Sequence, residues 1–374
     1  MQKVDVLVRG AGAVGQCLAL ALARCGLRVA LRDDTPAAQA PSRDEVRAYA
    51  LNGASVALLR ELEVWQALAR SAVTAVHEMQ VHGDAPGAGL EFTAWQQHVA
   101  ALAWIVDAQA LHAELDAAIA LATFIARVQA DVTAPLIALC EGKGSASRAA
   151  LGVDVQRIDF GQSAIAARLT TSRDHQNVAH QWFRSPDVLA LLPLDAPQER
   201  ATYALVWSCQ TARAEQLLAL APREFEIELA AELERAGGAV GELQLCSRRA
   251  AWPLTQATAH PWCGPGWVLL GDAAHVVHPL AGQGLNLGLA DVATLARVIA
   301  QREPWRELGD PRLLRRYARE RAAPTWAMGQ LTGGLLRLFA HPSPTIRELR
   351  NRGMTLVQHL PPVKRWLNAR ANQS

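Results

Sequence analysis

Three glycines near the start of the chain have a spacing that indicates nucleotide binding. Gly10, Gly12 and Gly15 follow an apolar run over residues 4–8 and open an apolar stretch of helical character. Between a strand and a helix, the first glycine permits the turn, the second lets backbone approach a pyrophosphate, and the third lets helix and strand pack closely. The phosphates then lie against the partial positive charge of the helix N-terminus. Asp33, after the next predicted strand, would accept hydrogen bonds from adenosine ribose hydroxyls. This motif by itself does not distinguish FAD from NAD.

A second glycine-rich segment, residues 271–288, predicts that the dinucleotide is a flavin. Asp272 follows a predicted strand and can hold ribityl hydroxyl groups. The backbone amides from about Gly282 to Leu285 would point from a helix N-terminus toward an anion. Reduced flavin carries negative charge near its N1 and C2 oxygen atoms, so this helix start would stabilise the reduced cofactor.

His275 and His278 in the same segment have a spacing that a metal site could use. No carboxylate or cysteine completes a ligand set, and flavin binding already explains the turn, so no metal is predicted. Nucleic acid is not an expected partner either, because no motif of interleaved aromatic and basic residues is present.

Residues 271–291 resemble the G-D-A-A-H-x-x-x-P-x-x-G-Q-G-x-N-x-G-x-x-D signature of FAD-dependent aromatic hydroxylases related to para-hydroxybenzoate hydroxylase. Within that superfamily, the segments at 159–164 and 189–194, together with His278 and Leu280, are similar to the flavin hydroxylases of ubiquinone biosynthesis. The resemblance covers nearly the whole chain.

The resemblance implies contacts to both halves of FAD. The three N-terminal glycines and Asp33 would bind the ADP half. Arg47 falls where the family places an arginine near the flavin and the pyrophosphate; its alternative is an ordinary surface arginine. Gln109 would make a neutral hydrogen bond where relatives often have arginine.

The flavin half of the cofactor would contact the second glycine-rich segment. The implied cofactor-binding residues there are Asp272, Gly282, Gln283, Gly284, Leu285 and Asn286. Pro279, with Gly282 and Gly284, would lie on the reactive side of the flavin. These three residues position the ring, and no side-chain base is assigned.

One family motif is altered in this chain. Relatives carry an Asp-Gly pair after a strand, and this chain has Glu141 and Gly142, followed by Lys143 and Gly144 where relatives vary. The change leaves open whether nicotinamide use is impaired. The span at residues 122–135 is also shorter than the β-meander of relatives.

Apolar periodicity predicts the elements that would position these residues. Helices are expected over residues 54–70, 108–121, 222–236 and 285–301, and the middle of the chain is otherwise mostly strand-like. The C-terminal part is expected to be helical, with breaks at Pro304, Pro324, Pro342 and Pro361. Three aromatic residues fall on predicted middle strands, where they either pack in the core or line an aromatic pocket: Trp182, Phe183 and Trp252.

These elements define the fold class as α/β. The expected architecture is a discontinuous, Rossmann-like FAD-binding domain of glutathione-reductase type, formed by residues 1–75, 103–156 and 262–342. A mainly antiparallel β-sheet substrate domain, residues 76–102 and 157–261, is inserted into it. Residues 343–374 form a helical C-terminal segment.

Composition indicates a globular protein in a reducing compartment. The six cysteines are scattered without metal-like or disulfide-like spacing, and they are expected to be small buried residues. Residues 297–374 hold 15 Lys and Arg against 5 Asp and Glu. The basic end is interpreted either as a solvated surface or as a membrane or partner contact. Without a signal peptide or an apolar spanning run, the protein is expected to be cytoplasmic or peripherally bound to a membrane.

The resemblance implies an enzyme in which NAD(P)H reduces FAD, O2 adds to form a C4a-hydroperoxyflavin, and one oxygen atom is transferred to a phenolic ring. The favoured substrate is a polyprenylated phenol of ubiquinone biosynthesis. A small soluble aromatic of secondary metabolism, or a non-catalytic flavin-binding scaffold in a biosynthetic complex, are the alternatives. A homodimer or such a complex would be the larger assembly.

Overall fold

A computed structural model describes residues 3–33, 45–83, 89–130, 132–184, 186–277 and 283–340. The chain forms a mixed α/β structure with one mainly parallel sheet, one large mainly antiparallel sheet and one small antiparallel sheet. This confirms the expected α/β class.

The described part of the chain contains helices of very different lengths. They are α1 (Ala13–Arg24), α2 (Gly53–Glu61), α3 (Ala94–Gln97), α4 (Ala108–Leu121), α5 (Ala146–Ala150), α6 (Thr211–Ala219), α7 (Pro222–Arg235), α8 (Gln283–Ala300) and α9 (Pro311–Ala340).

The strands alternate with helices in the first part of the chain and follow one another in the middle. They are β1 (Val6–Arg9), β2 (Val29–Arg32), β3 (Ala48–Leu51), β4 (Val73–Val76), β5 (Glu78–His82), β6 (Gly89–Thr93), β7 (Ala103–Asp107), β8 (Ile125–Val128), β9 (Leu136–Leu139), β10 (Asp154–Thr171), β11 (Val178–Arg184), β12 (Asp187–Leu194), β13 (Thr202–Gln210), β14 (Leu243–Leu245), β15 (Ala250–His260), β16 (Cys263–Gly264), β17 (Trp267–Leu269) and β18 (His275–Val276).

The parallel sheet has the strand order β16-β17-β9-β1-β2-β8, with only β16 antiparallel among its described strands. Its central strand β1 has Val6, Leu7 and Val8 at no more than 1% exposure. Such continuous burial is typical of a parallel strand covered on both faces. Helices α1, α4, α8 and α9 contribute to the same core.

The large sheet runs β18-β15-β10-β13-β12-β11-β5-β6, and β14 pairs with β10. Its pairs are antiparallel except for β11 with β5. One face packs Leu189, Leu205 and Trp207 against Phe225 and Leu229 of α7. The helices therefore cover one face of this sheet.

The small sheet, β3-β7-β4, lies against the large one. Val76 and Ile105 of the small sheet share a buried cluster with Ala179, Leu194 and Ala204 of the large sheet. Strand β3 follows the first βαβ unit along the chain, and the buried cluster packs the small sheet on the large one. The small sheet therefore connects the parallel sheet to the large sheet.

The expected end of one helix and one expected helix break are wrong. The helix expected over residues 54–70 ends at Glu61, because Glu63 adopts a left-handed conformation (φ 63°) and the amides of Val64 and Trp65 both turn back to the Leu59 carbonyl. The break expected at Pro324 is wrong. Pro324 is exposed while its neighbours Arg321 and Thr325 are buried, so packing holds α9 continuous through the proline.

Helix α6 was not expected, since the only helix predicted between β13 and β15 was the one at α7. Of its nine residues, only Ala214 and Leu217 are buried in the core. Two buried positions are too few for an apolar pattern that distinguishes a helix from a strand.

The expectation that all six cysteines are buried is wrong for two of them. Cys17, Cys140 and Cys209 are buried, whereas Cys25 and Cys246 are exposed. Burial raises the pKa of the Cys17 thiol to about 12.

None of the helices within the described ranges is both long enough and apolar enough to cross a bilayer.

Candidate cofactor-binding site

The glycine turn between β1 and α1 is packed tightly at two of its positions and open at the third. Gly10 has φ 98°, and a Cβ there would lie 2.4 Å from the Cys140 carbonyl oxygen. A Cβ on Gly15 would lie 1.9 Å from the Gly10 carbonyl oxygen. Gly12 is exposed, and a Cβ there would have nothing within 4 Å. The protein itself therefore requires two of the glycines, while the third leaves room for a ligand.

The second glycine-rich segment lies directly against this turn. A Cβ on Gly288 of α8 would lie 2.6 Å from Cγ2 of Val14 in the first turn of α1. Gly271, with φ 57°, is also in contact with Val14, its Cβ position being 3.3 Å from the same methyl group. The structure thus brings the first turn of α1 against the second turn of α8, so the N-terminal parts of two helices that start about 270 residues apart in sequence are in contact.

Asp272 lies in the turn after β17, between these helix starts. Burial raises the pKa of its carboxyl group, and the nearby charges of Lys143, His275 and Arg47 act in the opposite direction. A half-buried acid in this turn is placed to accept hydrogen bonds from ligand hydroxyls.

Arg47 is held at the side of the site that faces the large sheet. Its guanidinium donates to both carboxylate oxygens of Glu45, at 2.9 and 2.6 Å, and this hydrogen bonding raises the pKa of Arg47. The same group lies 5.5 Å from the ring centroid of Trp252 on β15. Arg47 is therefore oriented by Glu45 and Trp252, while 42% of its side chain is exposed.

The other residues expected at the ADP end are accessible. Asp33 is exposed directly after β2, and Gln109 is exposed as the second residue of α4. Pro279 and Gly282 lie outside the described residues, as do His278 and Leu280.

The first turn of α8 contains the remaining expected residues. Gln283, Gly284 and Leu285 are half-buried, and a Cβ on Gly284 would have nothing within 4 Å. Asn286 is buried and bonded within the protein: its side-chain oxygen accepts from the Asn52 amide at 3.0 Å and the Ser55 hydroxyl at 2.8 Å.

The Asn286 side chain also donates to the Ala50 carbonyl at 2.8 Å. It therefore ties β3 and α2 to α8, and its role is to position the helix start.

We expect Asn286→Ala to lower the free energy of unfolding by about 3 kcal/mol, because it removes three hydrogen bonds from a buried side chain: those from the Asn52 amide and the Ser55 hydroxyl, and the one to the Ala50 carbonyl. Guanidinium denaturation would measure the change. Gln283→Ala is the matched control, since it removes a neighbouring half-buried amide; it should cost less than about 1 kcal/mol. Equal losses in the two variants would contradict the proposed role of Asn286.

In the region of the altered motif, Arg148 was missed from sequence, and the structural role of Glu141 was not anticipated. Arg148 is buried, and its guanidinium donates to the carbonyls of Ala273 at 2.7 Å and Lys143 at 2.8 Å. Glu141 accepts hydrogen bonds from the Ser147 amide at 3.1 Å and the Ser147 hydroxyl at 2.6 Å, and from the Ser145 hydroxyl. Glu141 therefore fixes the start of α5. A serine three residues before Arg148 was the available signal for that helix start.

A buried ionic network also supports the turn that carries Asp272. Asp291 of α8 is bonded to Nε2 of His275 at 2.6 Å, to Nε of Arg321 at 2.7 Å and to the Gly271 amide at 2.9 Å. The His275 side chain is thus used in a hydrogen bond to Asp291, and no group of three or more potential metal ligands occurs in the described ranges.

Two of the three middle-strand aromatic residues belong to the core. Trp182 is 1% exposed and packs with the cluster under α7, and Phe183 is buried beside Val188. Trp252 is half-buried and its ring faces Arg47. Of these three aromatic residues, it is therefore the one that lies near the candidate site.

The glycine turn of a parallel sheet, facing a second helix start, defines a dinucleotide-binding protein. The family model described as an FAD binding domain matches residues 95–332. The chain belongs to this family and, within it, to the FAD-dependent monooxygenases (hydroxylases).

Relatives and solved structures agree with this assignment. The ubiquinone hydroxylase UbiL of Rhodospirillum rubrum is 30% identical over 388 residues, covering 96% of this chain and 87% of the relative. The 3-demethoxyubiquinol 3-hydroxylase of Escherichia coli is 28% identical over 388 residues and 97% of both chains.

The fold is shared with solved structures, among them that of a monooxygenase. The p-nitrophenol 4-monooxygenase PnpA from Pseudomonas putida superposes with a TM-score of 0.78 at 15% identity, covering 100% of this chain and 99% of that one. HpxO of Klebsiella pneumoniae, solved with FAD, has a TM-score of 0.75 at 15% identity and covers 99% of both chains.

Proposed function

We propose that the protein hydroxylates a phenolic ring with FAD, NAD(P)H and O2, and that its substrate is a polyprenylated phenol of ubiquinone biosynthesis. The observation that carries the proposal is the contact of the α1 and α8 N-termini through Val14, Gly271 and Gly288. Relatives named as ubiquinone hydroxylases, matched over nearly their whole length, support the substrate class.

In this proposal FAD extends from the first glycine turn to the start of α8. Gly10, Gly12 and Gly15 form the turn for the diphosphate, and Asp33 holds the adenosine ribose. The expected contacts along the rest of the cofactor are Arg47, Gln109, Asp272, Gly282, Gln283, Gly284, Leu285 and, through its backbone, Asn286, with Pro279 beside the reactive ring. The cofactor-binding domain would comprise residues 1–75, 103–156 and 262–342.

Bound FAD would supply the redox chemistry of the proposed reaction, with NAD(P)H as the electron donor and O2 as the source of the transferred oxygen atom. The protein supplies position and charge. Asp272 accepts hydrogen bonds from the cofactor hydroxyls, the amides at the start of α8 stabilise negative charge, and Arg47 closes the side toward Trp252.

The large sheet offers a surface for the aromatic substrate. Ala190 and Val206 are paired on central strands, yet both are half-exposed, and Ala166 pairs with Val206 on the same face. Trp252, two residues along in the same register, also lies on this face. We infer that this face, opposite the one covered by α7, forms the apolar wall of the substrate site.

The test is to incubate the purified, FAD-loaded protein with a prenylated phenol, NADH or NADPH, and O2, and to follow the product by mass spectrometry. A product heavier by one oxygen atom supports the proposal, and its label should come from 18O2. Hydroxylation of small phenols alone would favour the secondary-metabolism alternative. Failure of NAD(P)H to bleach the flavin spectrum under argon would favour the scaffold alternative.

A further inference from the structure

The loop after β9 occupies the middle of the candidate cofactor site. Strand β9 pairs in parallel with β1 on one side and with β17 on the other, and Leu139 is aligned with both Arg9 and Leu269. Three loops therefore leave the same edge of the sheet side by side: the glycine turn after β1, residues 141–144 after β9, and the Asp272 turn after β17. Ligands of parallel sheets bind at this edge.

Arg148 fixes the middle loop against the Asp272 turn. One guanidinium nitrogen donates to the Lys143 carbonyl and another to the Ala273 carbonyl, at 2.8 and 2.7 Å. Because Arg148 is buried, this connection between the two loops is shielded from solvent. The backbone of Lys143 is consequently held next to the residue that follows Asp272.

The Lys143 side chain is exposed in a region with open space. Its flanking residues Gly142 and Gly144 would each have nothing within 4 Å of an added Cβ. The positive charge of Lys143 is the largest of the charge effects that oppose the burial-raised pKa of Asp272. An exposed cation thus lies in the loop next to the half-buried Asp272, at the edge of the sheet where the N-terminal parts of α1 and α8 meet.

We propose that Lys143 is a cofactor-binding residue, whose ammonium group contacts the anionic diphosphate of FAD between the N-termini of α1 and α8. The inference rests on the proposed FAD binding. The negative charge of Asp272 would repel a diphosphate bound here. The ammonium group of Lys143, a positive charge at the end of a flexible side chain, would offset that repulsion. The two charged residues of this loop would therefore have different roles. Glu141 fixes the start of α5, and Lys143 would contact the diphosphate.

Lysine acylation tests the contact without measuring activity. The chain has only three lysines, Lys3, Lys143 and Lys364, so each can be followed by peptide mass spectrometry. The flavin-free and FAD-loaded proteins are treated with N-acetoxysuccinimide for increasing times. We expect FAD to slow acetylation of Lys143 by about ten-fold, as a charge-assisted hydrogen bond to phosphate shields the amine. The rate at exposed Lys3 is the internal control and should stay unchanged.

Variants test the same contact by affinity. Lys143→Gln should weaken FAD binding about ten-fold, measured by quenching of flavin fluorescence, the change equivalent to about 1.4 kcal/mol. Lys143→Arg should restore most of the affinity, and Lys3→Gln should leave it unchanged. The difference between wild type and Lys143→Gln should shrink as salt is raised from 50 to 500 mM, since salt screens an exposed charge.

The outcomes separate this inference from the proposed function. A wild-type protein that takes up no FAD would overturn both. FAD binding by the wild type with unchanged affinity in Lys143→Gln, and with unprotected Lys143, would overturn only the role of Lys143. Protection of Lys143 by NADH or NADPH but not by FAD would also overturn it, because the residue would then serve the electron donor.

Discussion

Gly12→Ala should weaken FAD binding by roughly ten- to a hundred-fold while the flavin-free protein keeps its stability to within about 1 kcal/mol. The free protein has nothing within 4 Å of the added methyl group, so no protein atom has to move. Gly12 precedes α1 with φ −70° and ψ 175°, a conformation that alanine adopts without strain. The methyl group would instead occupy the space through which a diphosphate approaches the helix N-terminus.

Gly15→Ala, three residues later in the same motif, should show the opposite pattern. Its methyl group would lie 1.9 Å from the Gly10 carbonyl oxygen, and backbone on both sides leaves little freedom to relax. We expect a loss of about 3 kcal/mol in the free energy of unfolding, because helix α1 must separate from β1. Chemical denaturation of the flavin-free proteins, with flavin fluorescence titration of those that fold, measures both quantities.

The pair of variants distinguishes a ligand-binding glycine from a packing glycine. If Gly12→Ala bound FAD as tightly as the wild type, the diphosphate could not lie at the α1 N-terminus. If Gly12→Ala were as unstable as Gly15→Ala, the added methyl group would be in contact with protein atoms, and Gly12 would be a packing glycine.

Sequence could predict those candidate residues whose type and spacing are required by the local structure around them. The glycines at 10, 12 and 15 and the acid at 272 follow strands that apolar runs already indicate. That α1 and α8 meet required a further step, the resemblance to a family, since contacts such as Val14 with Gly288 join residues far apart in sequence.

The residues that sequence could not assign act through partners in other elements. Arg148 looks like any arginine of a short helix, and only the approach of the β9 and β17 loops makes it a connection between them. Arg321 is one of many arginines in a basic region, and its pairing with Asp291 depends on how α9 crosses α8. Similarly, Pro324 fails to end α9 because tertiary packing outweighs a local preference.

Asp291→Asn should lower the free energy of unfolding by about 3–5 kcal/mol, because it leaves Arg321 buried without its counter-charge. Arg321 is only 6% exposed and Asp291 is fully buried, so solvent cannot replace the lost partner. Asparagine has one acceptor oxygen where aspartate has two, so it cannot accept from Arg321 at one position and from His275 and the Gly271 amide at the other. The Asp272 turn should therefore lose support, and FAD affinity should fall as well.

An ion pair between the same two helices provides the matched control. Arg297 of α8 pairs with Glu320 of α9, and both side chains are nearly half exposed. Glu320→Gln should therefore cost less than about 1 kcal/mol. The double variant Asp291→Asn/Arg321→Met should recover part of the loss, since it removes the unpaired charge. A double variant less stable than Asp291→Asn would show that Arg321 contributes by packing and not by charge.

The pH dependence gives an independent test of the network. Burial alone raises the pKa of Asp291, but His275 and Arg321 outweigh burial and hold the pKa below its ordinary value. A carboxyl group with a lowered pKa in the folded state stabilises the fold above its unfolded pKa of about 4, and this stabilisation is lost as pH falls further. The stability difference between wild type and Asp291→Asn should therefore be fully present at about pH 5 and shrink as the pH falls below about 4. A difference that stayed constant down to pH 3 would mean that Asp291 does not carry a charge in the folded protein at neutral pH.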